Sequence, residues 1–200
     1  MRRKLLLILG SSATAAAVLG LGANAALAAT WTVSNGGTNL GATQSGNATM
    51  KDVTTSNTLT CTSGTAKVTI ANGTGLSGTG IGTIPSITYG GCTGPLSISF
   101  SVTQVGTWNL NASSYSGGVT TGTVSNIDAK LSGLLCTAEV TGTASSTYTN
   151  STGTLAVSRD GNLLTVKSAS CLGVLNKNDV VAYTGSDKLN NTPYVKITSP

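Results

Sequence analysis

Apolar and polar residues alternate one for one along much of this chain, and a two-residue period is the signature of a strand with one face buried. Leu96, Ile98, Phe100 and Val102 are separated by Ser97, Ser99 and Ser101. Trp108, Leu110 and Ala112 alternate with Asn109 and Asn111, and Cys136, Ala138 and Val140 with Thr137, Glu139 and Thr141. Leu155 and Val157 lead into Arg159-Asp160-Gly161-Asn162, and Leu164 and Val166 follow. Asp-Gly between two such runs predicts a tight hairpin with Asp160 in its turn. Val195 and Ile197 mark a short last strand. The best helical spacing is Ile127, Leu131 and Leu134 within 126–135, but Gly133 and the surrounding Thr and Gly argue against a helix. The glycine-rich stretch 73–82 is expected to be a loop or a series of turns.

Many short strands with regular turns predict an all-β fold, an antiparallel β-sandwich or a barrel-like sheet. Four cysteines add a constraint: Cys61, Cys92, Cys136 and Cys171. An even number in an exported chain reads as disulfides, and four allow three pairings. The sequential loops are similar in length, which favours Cys61–Cys92 and Cys136–Cys171. Zinc would need close cysteine pairs or histidine, and the chain has neither.

Export is indicated by the first residues. Met1-Arg2-Arg3-Lys4 is basic, Leu5 to Leu9 and Ala15 to Leu19 are apolar, and Ala26-Leu27-Ala28 fits a cleavage site. This order predicts a Sec-type secretory signal over 1–28 and a single secreted β-domain over 29–200. The cysteine pairs divide that domain into two loosely similar halves, about 29–105 and 106–200. No membrane span is expected after cleavage, so the mature protein is read as extracellular.

The formal charge of +5 is inflated by the leader: three of the eleven basic residues are Arg2, Arg3 and Lys4, leaving eight against six acids. The remaining lysines are scattered and Arg159 is the one arginine after the leader, a poor match to nucleic acid. Histidine is absent, which removes the Ser-His-Asp and Cys-His mechanisms. The acids are Asp52, Asp128, Glu139, Asp160, Asp179 and Asp187, read as turn and surface carboxylates. Asp160-Gly161-Asn162 and 176–179 are too short for a calcium loop. No cofactor and no metal are expected.

An exported β-domain without a catalytic motif is expected to be a non-enzymatic binding or envelope-associated module. Its partner would be a cell-envelope component, an extracellular glycan or a protein. Trp108 and Tyr115 flank Asn109, Asn111 and Ser113, a mixture suited to a glycan. The phase of Trp108 with Leu110 equally suits a core position. The alternatives are a glycan hydrolase using two of the carboxylates, or an enzyme inhibitor presenting 73–82 or 141–147 as an exposed loop.

Several stretches occur in a familiar order: Leu59-Thr60-Cys61-Thr62-Ser63, the glycine-rich 75–82, Cys92-Thr93-Gly94-Pro95, Trp108-Asn109-Leu110-Asn111-Ala112, Leu131-Ser132-Gly133 and Ser170-Cys171. Together they resemble small secreted proteins of actinobacteria such as Streptomyces, which share a four-cysteine framework. Ala169-Ser170-Cys171 departs from the Ser-Gly-Cys expected before the last cysteine. The resemblance implies an extracellular protein and transfers no catalytic residue.

Overall fold

The computed structural model describes residues 30–158 and 163–200. The predicted signal segment and the Asp-Gly turn lie outside the described residues. The strands are β1 (Trp31–Ser34), β2 (Gly37–Gln44), β3 (Ala48–Asp52), β4 (Thr58–Ile70), β5 (Gly73–Leu76), β6 (Gly82–Thr93), β7 (Ser99–Gln104) and β8 (Trp108–Ser116). They continue with β9 (Val119–Gly133), β10 (Cys136–Thr149), β11 (Thr154–Val157), β12 (Leu163–Ser170), β13 (Val180–Leu189) and β14 (Lys196–Thr198). A 3-10 turn, Pro95–Ser97, precedes β7.

Every pairing is antiparallel, and the large sheet closes on itself. From β4 the ring runs through β6, then β7 and β8 end to end, β9 and β10. It continues through β11 and β12 end to end, then β13, then β2 and β3 end to end, and so back to β4. Five long strands and three shared positions give eight staves, each beside its neighbour in the chain. This is an up-and-down barrel, in which closure leaves no free edge in the wall. Residues on both sides of 105 build one core, because β7 and β8 are two pieces of one stave.

Alternation puts the apolar set inside. Ala66, Val68 and Ile70 of β4, Ile127, Ala129 and Leu131 of β9, and Ala138 and Val140 of β10 are all buried. Thr65, Lys67, Lys130, Ser132 and Thr137 face out. An interior this narrow is filled by side chains. The helical spacing read at 127–134 is a strand with a bulge. Ala144 faces Val124 and Gly142 faces Ile127, so β9 carries an extra residue there. Asn126 takes up that residue at φ 56, a conformation that Asn tolerates.

Two expectations change here. β11 and β12 both lie antiparallel along β10, with Val157 opposite Ser146 and Leu163 opposite Thr143. They run in the same direction and share one stave, so these two strands do not pair with each other as a hairpin. The stretch 73–82 is only partly a loop. Gly73–Leu76 forms β5, which joins β1 and β14 in a three-stranded sheet.

That small sheet closes one end of the barrel. Trp31, Val33, Val195 and Ile197 from it and its approach are buried in the common core. Asn150 binds the backbone of β14 on both sides, donating from Nδ2 to Ile197 O at 2.9 Å and accepting from Ile197 N–H at 3.0 Å. Tyr148 Oη donates to Val195 O at 2.8 Å.

Both disulfides lie at the other end, paired as the loop lengths suggested. Cys61 and Cys92 are direct cross-strand partners, with Cα atoms 3.9 Å apart. Cys136 and Cys171 stand 4.0 Å apart just beyond the Thr137–Ser170 pair. The register continues from Cys92 to Phe100, Gly133 and Cys136, so both staples sit on one transverse row. On that row the Phe100 ring lies against Gly133, where a Cβ would come within 2.8 Å of it.

Candidate functional site

Two regions of the barrel hold chemistry that packing does not consume: the lumen and the disulfide end. The lumen contains two small cavities, of about 80 and 60 Å³. Ile84, Ile87, Leu155 and Asp187 line both. Inside the larger, Tyr89 Oη and Tyr183 Oη are hydrogen-bonded at 3.1 Å. Asp187 on β13 lies opposite Gln44 on β2, so both face inward. Burial pushes the Asp187 carboxyl above the usual carboxylate range. Gln44 donates to Gly46 O and Cys61 O, while its Oε1 is buried without a partner.

Burial also raises the tyrosines. Tyr183 is pushed up to about 12, and Tyr89 and Tyr148 are raised for the same first reason. A raised phenol favours the neutral form, so its contribution to stability is complete below the ordinary value near 10 and is lost as pH rises through the shifted value. Absorbance titration of the five tyrosines should therefore show a late group of three, with unfolding setting in as they ionise. A single transition centred near pH ~10 would contradict the buried hydroxyl pair.

The residues expected to form a glycan platform are split by the barrel wall. Trp108 is 7% exposed, lines the larger cavity and donates from Nε1 to Asp128 O at 3.2 Å. It is a lumen residue and presents no face to a surface ligand. Asn111 spends its amide internally, donating to Thr123 Oγ1 and Ser125 Oγ and accepting from Gly80 N–H. Asn109 and Tyr115 are half-buried on β8. The stretch 141–147 is interior to β10 and is no inhibitor loop.

The carboxylates are largely committed. Asp52 is 1% exposed and accepts from Thr54 N–H, Thr55 N–H and Thr55 Oγ1. Burial pushes its carboxyl up, but these hydrogen bonds outweigh burial and hold it below the usual value. Asp179 accepts from the backbone and side chain of Asn176. Glu139 is bound by Lys167 Nζ at 2.7 Å, which lowers it. Asp128 beside it is raised, first by burial and then by the Glu139 charge. This last pair lies on the outer wall, where strands β9 and β10 run side by side.

No protein family, curated protein or solved structure matches this chain.

The disulfide end carries the strongest anomaly. Every large hydrophobic residue that is exposed among the described residues lies there: Val53, Leu96, Leu134, Leu135, Leu172 and Val180. Five come from four separate connections, β3–β4, β6–β7, β9–β10 and β12–β13, and Val180 is the first residue of β13. Leu96 is 93% exposed and Leu172 83%. Leu96 was expected to point inward in phase with Ile98. Instead Pro95 begins a turn, and Leu96 takes φ 58 and leaves the strand.

Leu135 and Leu172 share this left-handed backbone, at φ 57 and 48. Such a φ costs a residue with a Cβ roughly 1–2 kcal/mol, and glycine or asparagine normally fills it. Elsewhere this chain does use Asn there, at Asn35, Asn39, Asn126 and Asn178. Three leucines are thus held in strained turns where their side chains gain nothing from the core. Beneath them the end is closed by Leu175, which is buried, while Val174 O accepts from Asn57 Nδ2 at 2.8 Å and Thr55 Oγ1 at 3.3 Å. The tips therefore stand on cross-linked ground.

Proposed function

We propose that this chain is an exported, non-enzymatic binding barrel that attaches to a cell-envelope or extracellular surface through its leucine-tipped end. The observation that carries this reading is the confinement of all six exposed large hydrophobics to one end, three of them in strained turns. Scattered single apolar residues need no explanation, but a set gathered on one face marks an interaction site. Backbone strain with no stabilising return argues in the same direction. Export is supported by the basic and apolar order of residues 1–28 and by two disulfides, which persist in oxidising compartments. No helix among the described residues is long and apolar enough to cross a membrane.

The test is a retention assay on isolated cell envelopes and on insoluble cellulose, chitin and peptidoglycan. The protein over 29–200 is compared with a triple variant, L96S/L135S/L172S. Retention on at least one material that falls about tenfold or more in the variant is expected, since each leucine removes about 1 kcal/mol of buried apolar contact. Retention that the variant keeps in full, or none on any material, would overturn the reading.

A further inference from the structure

The chemistry of the tips identifies the surface. We propose that the disulfide end is a bilayer-docking face, its leucines dipping into the headgroup and upper acyl region of a phospholipid membrane. This deepens the reading above and rests on it.

Four observations favour lipid over a protein partner. First, the exposed side chains are all Leu and Val. Protein hot spots are built from Trp, Tyr and Arg, with Leu and Val under-represented. Aliphatic side chains have no directional demand and suit a fluid hydrocarbon. Second, the leucines and Val53 stand on four separate turns around a rim, with Val180 at the start of β13 beside them, so the turns can enter a soft surface independently.

Third, charge is permissive at that end. Asp52 and Asp179 are tied to neighbouring N–H and O–H donors, and Glu139 is paired with Lys167. Lys177, on the same rim between Leu172 and Val180, is exposed, and Lys51 stands one residue before Asp52. Basic side chains near a bilayer contribute about 1 kcal/mol each on anionic lipid.

Fourth, the polarity of the barrel sets the depth. A membrane-spanning barrel is apolar outside and polar within. This one is the reverse: Thr65, Lys67, Thr121, Lys130, Ser132 and Thr137 face out, while Val68, Leu131, Ala138 and Val140 face in. The wall cannot enter hydrocarbon, so insertion stops at the tips. The protein would lie on the membrane and not in it, as the anchoring of a peripheral protein requires.

The experiment is flotation with vesicles of phosphatidylcholine, with and without phosphatidylglycerol, using the protein over 29–200. The parent should float with both, more strongly on the anionic vesicles, a preference that K177S lowers about fivefold. L96S/L135S/L172S should lose about 100-fold in partition coefficient, about fivefold for each of the three leucines withdrawn from an apolar phase. Its thermal transition should be no lower than the parent's, because no leucine leaves the core.

A second variant guards against misfolding of the first. In L96W, tryptophan fluorescence should be quenched by lipids brominated high on the acyl chain, whereas Trp31 and Trp108 are buried and should not respond. Absence of flotation and quenching, or equal flotation of parent and triple variant, overturns the bilayer assignment. If retention on glycan or wall material stays leucine-dependent while vesicles are ignored, the binding end stands and lipid is the wrong partner. If leucine-dependent self-association is found in the ultracentrifuge with no vesicle binding, the face is a dimer contact and the lipid proposal falls. If neither vesicles nor envelope materials respond to the leucines, both readings fall.

Discussion

Replacing Cys61 and Cys92 together by serine is expected to lower the unfolding free energy by about 4 kcal/mol, and the same change at Cys136 and Cys171 by a similar amount. The estimate comes from loop closure in the unfolded chain, with the bonded cysteines 31 and 35 positions apart. Both bonds join strands that are already neighbours, so the folded barrel is held by the same ladder with or without them. The loss falls on the entropy of the unfolded state. A domain of this size has about 5–15 kcal/mol in total, so removing both bonds should consume most of it. Urea titration followed by far-ultraviolet dichroism checks this. Each single-pair variant should show a lowered midpoint, and the variant lacking all four cysteines should be largely unfolded without denaturant. A midpoint unchanged in either pair would mean that the unfolded chain retains the closed loop by other means. The consequence for function is local: both staples lie on the row beneath the leucine tips, so the single-pair variants should also weaken binding there.

Trp31→Ala is expected to cost about 3–5 kcal/mol, the usual range for truncating a large buried aromatic. Trp31 is 2% exposed and pairs through β1 with Leu76 of β5. Its indole nests against Gly78, where a Cβ would stand 2.5 Å from Nε1. No neighbour can collapse into the space, because the small sheet is tied to the barrel by Asn150 and Tyr148. For a domain of this length each kcal/mol moves the thermal midpoint by about 2–4 °C, so a fall of about 10 °C should appear in calorimetry. A single transition at the lower temperature would show that the small sheet unfolds with the barrel. An unchanged midpoint would mean that the sheet is a separate appendage. Binding through the leucine tips, at the opposite end, should be unaffected in the folded fraction.

The carboxylate and aromatic candidates show how far side-chain chemistry can be read without a fold. Trp108 and Asn109 are adjacent in sequence, and on one strand adjacent residues face opposite sides. Trp108 therefore cannot join Asn109 in one contact surface while the wall between them is continuous. The phase with Leu110 was the better guide. Asp187 offered no clue of its own: it follows Ser186 in an unremarkable segment, and only closure of β13 onto β2 places it opposite Gln44 inside the lumen. The leucine tips were hidden for a related reason. Leu96 keeps the alternation of Ile98 and Phe100 and so looks like core, while Leu134, Leu135 and Leu172 look like ordinary strand ends. Their meaning lies in four distant connections arriving at one rim.

By itself the sequence determined the local backbone and the cross-links. A two-residue period, abundant β-branched residues and glycine-rich punctuation make strands the cheapest conformation, and similar loop lengths favour sequential cysteine pairs. These are short-range properties, decided within a few residues or by chain entropy. Tertiary structure alone decided which face of each strand is inside, that β7 with β8 and β11 with β12 are single staves, and that the exposed leucines share one end. Those facts depend on ring closure, which couples residues as far apart as Gln44 and Asp187 through the register of every stave between them.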